Sequence, residues 1–186
     1  MRGRLACSVL LVLAAAGCSE PPVKERQQAD SAVAAARTAG AATYDAEDLQ
    51  AAEASLKRYD DAVAQRDYRQ ALNEALEARE RADAATKQAN SKRAELRSQA
   101  DALTSQLDAL TRTASARLAS PAGRPSGAAA ERLRNALRGG QTALQEARSR
   151  RAADDYPGAV AALTRGIDGL RKELPASEPG PVKKKK

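Results

Sequence analysis

Acidic pairs are the candidates for acid–base chemistry in this 186-residue sequence, because it contains no histidine. The usual general base, the imidazole of a nucleophilic triad and the commonest zinc ligand are therefore missing, and two separated cysteines do not replace them. Asp60-Asp61 and Asp154-Asp155 each fall at the predicted end of a helix, where capping and solvation account for the carboxylates. The sequence thus predicts no catalytic residue, no metal site and no cofactor, and we expect a protein that is not an enzyme.

The cysteine with a chemical role is Cys18, which follows a short apolar segment. Arg2 and Arg4 precede an uncharged stretch of about 12 residues, Leu5 to Ala16, which is shorter than the roughly 20 residues of a membrane-spanning helix. This order of positive charge, apolar stretch and small residues is typical of a secretory signal. The junction Ala15-Ala16-Gly17-Cys18 resembles a bacterial lipobox. The resemblance implies diacylglycerol transfer to the Cys18 sulfur, cleavage before Cys18 and acylation of the new amino group.

The resemblance makes residues 1–17 a lipoprotein signal peptide, and it implies a palmitate-type lipoprotein of the outer membrane that faces the periplasm. The implied acyl chains exceed the two signals that stable anchoring needs. Ser19 follows the cysteine, where Asp would favour retention in the inner membrane. Ala14-Ala15-Ala16 would also suit an ordinary signal peptidase, which would attach no lipid. Cys7 would leave with the signal, so lipidation of Cys18 would leave no free thiol.

The elements that follow are predicted to be helices in thin layers, because the chain has no Phe or Trp to fill a thick core. An Ala-rich helix from Val23 to Ala39 should end at Gly40. Asp45, together with Asp48, resembles an N-terminal cap pair for the next helix. Along that helix an apolar stripe recurs at steps of three and four. Its members are Leu49, Ala52, Leu56, Tyr59 and Val63.

One long central helix is predicted after Asp67 and Gln70, which form a capping-box pattern. No proline or glycine occurs from Tyr68 to Ser120, so this helix would be on the order of 70 Å long. Apolar residues recur along it every seven positions, which favours a coiled-coil seam. The seam comprises Ala75, Ala82, Ala89, Leu96, Leu103 and Leu110, with a companion line of Ala71, Ala78, Ala85, Ala100, Leu107 and Ala114. We expect the alanine half to pack on the preceding helices, and the leucine half to pack on the C-terminal helices or another chain.

The chain after the signal peptide is predicted to form an N-terminal helical domain at 18–119. A linker or turn at 120–127, a helical hairpin at 128–174 and a tail at 175–186 follow it. Two apolar stripes define the hairpin. They are Ala130, Leu133, Leu137, Gly140, Leu144 and Ala147, then Val160, Leu163, Ile167, Leu170 and Leu174. Gly139-Gly140 predicts a kink or a close helix crossing, and Asp155 should cap the second helix. The predicted fold is therefore all-α, with elongated antiparallel hairpins or coiled coil around one long helix.

A short pattern occurs twice, as Ala64-x-x-Asp67-Tyr68-x-x-Ala71-Leu72 and, 88 residues later, as Ala152-x-x-Asp155-Tyr156-x-x-Ala159-Val160. It is similar to the inter-helix turn of tetratricopeptide-type hairpins, which implies that Asp caps the second helix and Tyr packs against the first. Two units favour convergent hairpin packing over a peptide-binding superhelix, since a solenoid needs about three repeats.

From Val23 to about Ala100 the chain also resembles an uncharacterised family, a domain of unknown function, of Ala-rich helical lipoproteins from Gram-negative envelopes. The residues that carry this resemblance are Ala34-Ala35-Ala36, Gly40-Ala41-Ala42, Tyr44, Leu49, Leu56, Ala64, Asp67-Tyr68, Ala71-Leu72 and Ala75. It implies an envelope location and a helical form, without an activity.

The Pro-rich tail ends in Lys183, Lys184, Lys185 and Lys186, which with Arg2 and Arg4 supply most of the formal net charge of +7. No nucleic-acid partner is predicted, because the rest of the chain has no clustered basic face. The lysines are candidates for contact with anionic lipid or wall polymer, and a solvated tail is the alternative. An N-terminal lipid, a helical rod and a C-terminal Lys together are also similar to the major wall-linked lipoprotein of enteric bacteria. The aromatic residue and Arg that precede its Lys are missing here.

These patterns predict a membrane-anchored periplasmic lipoprotein with a structural or adaptor role in the cell envelope. It would present a helical surface to an envelope protein or to peptidoglycan, and a homo-oligomer is a further option. The alternative is a cell-wall tether joined to peptidoglycan through the C-terminal Lys.

Overall fold

A computed structural model describes residues 20–120 and 125–174, and within these ranges it contains six helices and no strand. The helices are α1 (Val23–Thr38), α2 (Ala41–Tyr44), α3 (Ala46–Ala64), α4 (Tyr68–Ala119), α5 (Gly127–Ala152) and α6 (Tyr156–Glu173). The all-α prediction is confirmed, including one long helix, α4, of 52 residues. Cys18, the predicted signal peptide, residues 121–124 of the predicted linker and the lysine tail lie outside the described residues.

The chain forms two compact units that divide within α4. Unit 1 contains α1, α2, α3 and the part of α4 up to Lys92, and unit 2 contains α4 from Arg93 together with α5 and α6.

Unit 1 begins with α1, which ends at the predicted stop signal. Gly40 has a φ of +85°, a left-handed conformation that glycine adopts without steric cost. The ring of Tyr44 packs so close to Gly40 that its Cδ2 atom would lie 3.2 Å from a β-carbon there. Between Gly40 and α3 the chain makes the four-residue helix α2, which the sequence analysis did not predict.

The core of unit 1 is built largely from alanine. Buried residues of α1, α2 and α3 form one cluster with the alanine line of α4, which confirms that this half packs on the preceding helices. The cluster comprises Ala29, Val33, Ala36, Ala41, Leu49, Ala52, Leu56, Ala78, Ala82, Ala85 and Ala89. A second cluster comprises Tyr59, Ala62, Ala71 and Ala75. Small side chains let the helix backbones approach closely, so the packing is dense although each residue buries little area.

The core of unit 2 is built around Leu107 of α4, which is fully buried. A β-carbon added at Gly140 of α5 would lie 2.9 Å from Leu170 Cδ1, and one at Gly166 of α6 would lie 2.9 Å from Leu107 Cδ2. These glycines therefore form the contact surface for Leu107 and Leu170. The predicted close crossing at Gly139-Gly140 is confirmed at Gly140, and the leucine half of α4 packs on the C-terminal helices.

The buried line of α4 differs from the predicted seam in unit 2. Leu96, Leu103 and Leu110 are only half-buried, whereas Ala100, Leu107 and Ala114 of the companion line are fully buried. In this half the companion line therefore forms the buried centre of the core, and Leu103 and Leu110 of the predicted seam pack against it while only partly buried. A heptad line drifts about 20° per repeat around a straight α-helix, and a four-residue shift corrects the drift. The step of eleven residues from Ala89 to Ala100 supplies this shift.

The two repeated turns share one backbone hydrogen-bond pattern. After α3, the Asp67 N–H donates to the Ala62 carbonyl at 2.9 Å, and after α5 the Asp155 N–H donates to the Arg150 carbonyl at 2.9 Å. The residue before each Asp has a positive φ, 59° at Arg66 and 58° at Asp154. This is a Schellman motif, a helix end in which glycine usually occupies the left-handed position.

Each turn also starts the next helix as predicted. Asp67 Oδ1 accepts the Gln70 N–H at 2.9 Å, and Asp155 Oδ1 accepts the Gly158 N–H at 2.8 Å. Both predicted Asp caps are thereby confirmed. The short pattern that recurs after 88 residues thus corresponds to a repeated local structure, a turn that ends one helix and begins the next.

Candidate functional site

The predicted site residues fall at the ends of the chain. Cys18 and Lys183 to Lys186 lie outside the described residues, so their lipidation and polymer contacts stay predictions. The nearest described helix to Cys18 is α1, which begins five residues later at Val23. Five residues span at most about 17 Å when fully extended. A lipid on Cys18 would therefore hold the start of α1 close to a membrane.

Asp60 of the first acidic pair belongs to a cluster around Arg26, near the start of α1. Arg26 of α1 donates to Asp30 at 3.1 Å and to Asp60 of α3, and its guanidinium lies 5.1 Å from the centre of the Tyr59 ring. Burial opposes the charged form of Arg26, but its hydrogen bonds to Asp30 and Asp60 outweigh this and raise its pKa. Burial also raises the pKa of Tyr59, which is a core residue. The cluster joins α1 to α3 and accounts for the Asp60 carboxylate.

In the second acidic pair, Asp154 accepts from Arg93 at 3.2 Å, and Asp155 belongs to an ion-pair network at the α5–α6 turn. Arg150 donates to Glu146 at 2.9 Å and to Asp155 at 2.7 Å, and Arg165 donates to Glu146 at 3.1 Å. The hydrogen bond from the Gly158 N–H has the largest effect on the pKa of Asp155 and lowers it, and the hydrogen bond from Arg150 lowers it further. Hydrogen bonds from Arg150 and Arg165 likewise lower the pKa of Glu146. Both carboxylates stay ionised and tie the turn together, as capping and ion-pairing residues do.

Asp45 is at the predicted N-cap position, but its side chain makes no capping hydrogen bond. This part of the prediction is wrong: the Asp45 N–H donates to the Ala41 carbonyl at 2.8 Å and closes α2, and the Asp45 backbone lies outside the β region that a capping residue normally adopts. The residue then has φ −157° and ψ 64°, and its Oδ2 atom is buried without a hydrogen-bond partner. Burial, with smaller effects from Asp48 and Glu47, raises the pKa of Asp45.

Two open grooves lie on the surfaces of the units. A groove of about 360 Å³ between α5 and α6 has a floor of small residues, among them Gly139, Ala143 and Gly169, and the Glu146–Arg165 ion pair at its rim. A groove of about 660 Å³ between α1 and α4 is polar. Its lining comprises Lys24, Gln27, Gln28, Ser31, Ala32, Arg79 and Asp83.

Exposed apolar side chains mark one region that the sequence analysis missed. Among the described residues the exposed large hydrophobic side chains are those of Val23, Leu72 and Leu76, at 50%, 36% and 48% exposure. The spacing of four between the two leucines was visible in the sequence, but the adjacent buried alanines Ala71 and Ala75 obscured it.

The comparisons give no family for this arrangement. A search of known protein families, of curated proteins and of solved structures found no match for the chain. Within residues 20–120 and 125–174, no helix has the length and apolar character that crossing a membrane requires. In the same ranges, no group of three or more His, Cys, Asp or Glu side chains is placed to hold a metal ion.

Proposed function

We propose that the protein is a lipoprotein, anchored through Cys18 on the periplasmic face of the outer membrane, with a structural or adaptor role in the envelope. The observation that carries this proposal is the Ala15-Ala16-Gly17-Cys18 junction after a short apolar stretch. The position of α1 supports it, since this helix, the first in the described part of the chain, begins only five residues after the cysteine. Anchor and folded unit are thus connected by a segment too short to act as a long flexible linker.

The adaptor role rests on the kind of surface that the helices offer. Unit 1 presents a polar groove between α1 and α4, and unit 2 presents a groove with a floor of glycine and alanine. At the rim of the second groove, Glu146 and Arg165 form an ion pair. Such surfaces suit binding to another macromolecule, because a macromolecular interface is wide and depends on complementary shape and hydrogen bonds. The resemblance to envelope lipoproteins supports the envelope location and the helical form of this surface.

Replacement of the two cysteines tests the anchor, because the chain contains only Cys7 and Cys18. Cys18→Ser should abolish incorporation of labelled palmitate, and, because cleavage follows lipid transfer, its intact mass should lack the diacylglyceryl and acyl groups but include residues 1–17. Cys7→Ser is the matched control, and it should leave both the label and the mature mass unchanged. Fractionation of the envelope should place wild type and the Cys7→Ser variant in the outer membrane. Equal masses, apart from the substitution, and equal solubility for wild type and Cys18→Ser would refute the proposal.

The second candidate is a covalent tether to peptidoglycan, which is favoured by the four lysines that follow Pro181-Val182. Sacculi boiled in detergent and washed with salt retain a covalently linked protein, and muramidase then releases it. Recovery that is lost on deletion of Lys186 alone would support the tether. A protein that is absent from boiled sacculi, but is released from unboiled envelopes by salt, would instead make reversible electrostatic contact.

A further inference from the structure

The exposed leucines of α4 belong to a stripe flanked by cations. Arg69, Leu72, Leu76 and Arg79 follow one another at steps of three, four and three, which places them on one face of the helix. We name this set the Arg-Leu stripe. Leu72 and Leu76 are exposed, and Arg69 and Arg79 lie at the exposed surface on either side. Exposed apolar residues between cationic side chains are typical of helices that lie in a membrane interface.

Ion pairs between helices place this stripe at the anchored end of unit 1. α1 is antiparallel to α3, because Arg26 contacts Asp60 whereas Arg37 contacts Glu53. Because α4 is also antiparallel to α3, α1 and α4 run in the same direction.

The evidence for α4 is that Arg58 of α3 contacts Glu74 at 2.7 Å, whereas Arg81 contacts Asp48 of α3 at 3.2 Å. Arg79 also donates to Gln28 of α1 at 3.0 Å, so these two residues lie at the same height along their helices. Leu72 is seven residues before Arg79, and Val23 is five residues before Gln28. Leu72 and the start of α1 therefore lie at the same end of the unit.

A third cation lies beside the stripe. Lys24 of α1 and Arg79 line the same polar groove, together with the carboxylate of Asp83, whose Oδ2 is 3.8 Å from Arg79 Nε. The groove also contains the amide side chains of Gln27 and Gln28. Arg69, Arg79 and Lys24 thus place three positive charges near two carboxylates, that of Asp83 and that of Glu80, which is exposed four residues after Leu76. This excess of one positive charge favours anionic headgroups next to the two leucines.

We infer that the Arg-Leu stripe lies on the membrane that holds the Cys18 lipid, with Leu72 and Leu76 in the interfacial layer and anionic headgroups against Arg69, Arg79 and Lys24. This inference rests on the proposed function. The chain from Cys18 to Val23 spans at most about 17 Å, and helices pack about 8–10 Å apart, so the tether allows the contact. A second copy fits less well, because two leucines provide far less than the ~1,000 Å² that a stable interface needs. A tethered surface needs little area, since the anchor supplies a high effective concentration.

Depth measurements on the lipidated full-length protein test the inference. The purified protein carrying Leu76→Cys is reconstituted in vesicles of phosphatidylcholine and phosphatidylglycerol and labelled with an environment-sensitive fluorophore. A thioether at Cys18 leaves the introduced thiol as the one that reacts. We expect the emission to shift to the blue and to be quenched by lipids with a shallow nitroxide, from a depth of about 5–10 Å. Ala54→Cys is the matched control, because Ala54 is exposed on α3 and lies outside the stripe. Its label should respond only to a water-soluble quencher.

A second labelling position and the charge variants sharpen this test. Leu72→Cys should give the same shift, and Arg69→Gln combined with Arg79→Gln should reduce the quenching on anionic vesicles. Melting curves of every variant confirm that the helices remain folded. A label at position 76 that stays in water overturns the inference. Energy transfer between labelled copies, without quenching by lipid, also overturns it and identifies self-association. Intact mass separates the two proposals: a chain without lipid refutes the anchor and this inference together, whereas a lipidated chain with a solvated label refutes only this inference.

Discussion

At the scale of single residues, stability in unit 2 depends on Leu107 and the glycines that it touches. Leu107 is fully buried, and a β-carbon added at Gly140 or Gly166 would lie within 3 Å of Leu170 or of Leu107 itself. Packing of this kind responds both to lost and to added volume, because protein interiors are close-packed.

Truncation of Leu107 should therefore be costly. We expect Leu107→Ala to lower the free energy of unfolding by about 2–5 kcal/mol, from lost burial and from the cavity left behind. Leu103→Ala is the matched control on the same helix, and it should cost less than half as much because Leu103 is only half-buried. Urea denaturation followed by circular dichroism provides the measurement. Equal losses for the two variants would mean that Leu107 is not the centre of this core.

Added volume should have opposite effects at two neighbouring glycines of α6. A β-carbon at Gly166 would lie 2.8 Å from the β-carbon of Ala143, whereas one at Gly169 would have no neighbour within 4 Å. We expect Gly166→Ala to destabilise the protein by about 1–3 kcal/mol through overpacking. Gly169→Ala should stabilise it by about 0.5–1 kcal/mol through its helix propensity. Thermal melts of the two variants would contradict this account if both shifted in the same direction.

Asp45 should make stability depend on pH in the opposite sense to Asp155. The pKa of Asp45 is raised by burial, so its ionised form destabilises the fold, and this cost disappears as the pH falls through the folded pKa. Asp155, whose pKa is lowered by the Gly158 N–H and by Arg150, stabilises the fold above the unfolded value near 3.9 and loses this effect as the pH falls.

Replacement with asparagine should distinguish the two carboxylates. At neutral pH, Asp45→Asn should be more stable than wild type, and the difference should vanish as the pH approaches about 4. Asp155→Asn should be less stable than wild type at neutral pH, and this difference should also shrink as the pH falls. Urea titrations at a series of pH values provide the comparison. A destabilised Asp45→Asn variant at neutral pH would show that the carboxylate has a favourable partner.

At the scale of elements, the two Schellman turns follow one sequence rule, the Asp cap, and depart from another, the glycine at the left-handed position. Asp67 and Asp155 were identified from sequence because a cap depends on contacts within three residues. The left-handed positions were not identified, since Arg66 and Asp154 occupy sites where glycine is usual. The backbone accepts this strain because both ends of the turn are fixed by hydrogen bonds.

Relief of that strain gives a prediction for α3. Arg66→Gly should raise the free energy of unfolding by about 1 kcal/mol, since a non-glycine residue in the left-handed region costs roughly 1–2 kcal/mol. Gln65→Gly is the adjacent control, and it should lower stability because Gln65 has a φ of −84° and gains nothing from glycine. Chemical denaturation would contradict the Schellman assignment if the two glycine variants behaved alike.

The features that sequence could not predict are those decided by contacts distant in the chain. Periodicity identified α4 and most of its buried residues, but it could not show that the α5 and α6 glycines would receive Leu107 in place of Leu103. The pattern at Asp45 indicated a cap, but Asp45 also ends α2, where its backbone has φ −157° and ψ 64° and its side chain makes no capping hydrogen bond. Similarly, the exposure of Leu72 and Leu76 depends on how α1 lies against α4. The candidate lipidation site at Cys18 and the lysine site at Lys183 to Lys186 rest on sequence alone. The cysteine variants test the first, and the preparation of sacculi tests the second.

At the scale of the whole molecule, two units of different composition share one helix, and the contrast between their cores has a thermal consequence. The heat capacity change of unfolding grows with the apolar area exposed, and a buried alanine exposes much less area than a buried leucine. Unit 1, whose core is mostly alanine, should therefore contribute a small heat capacity change for its length. Calorimetry should give a total below the usual ~12–15 cal/mol/K per residue, and a value at or above this range would contradict the argument. A small heat capacity change flattens the dependence of stability on temperature, so a core of alanines should make unit 1 comparatively resistant to cold denaturation.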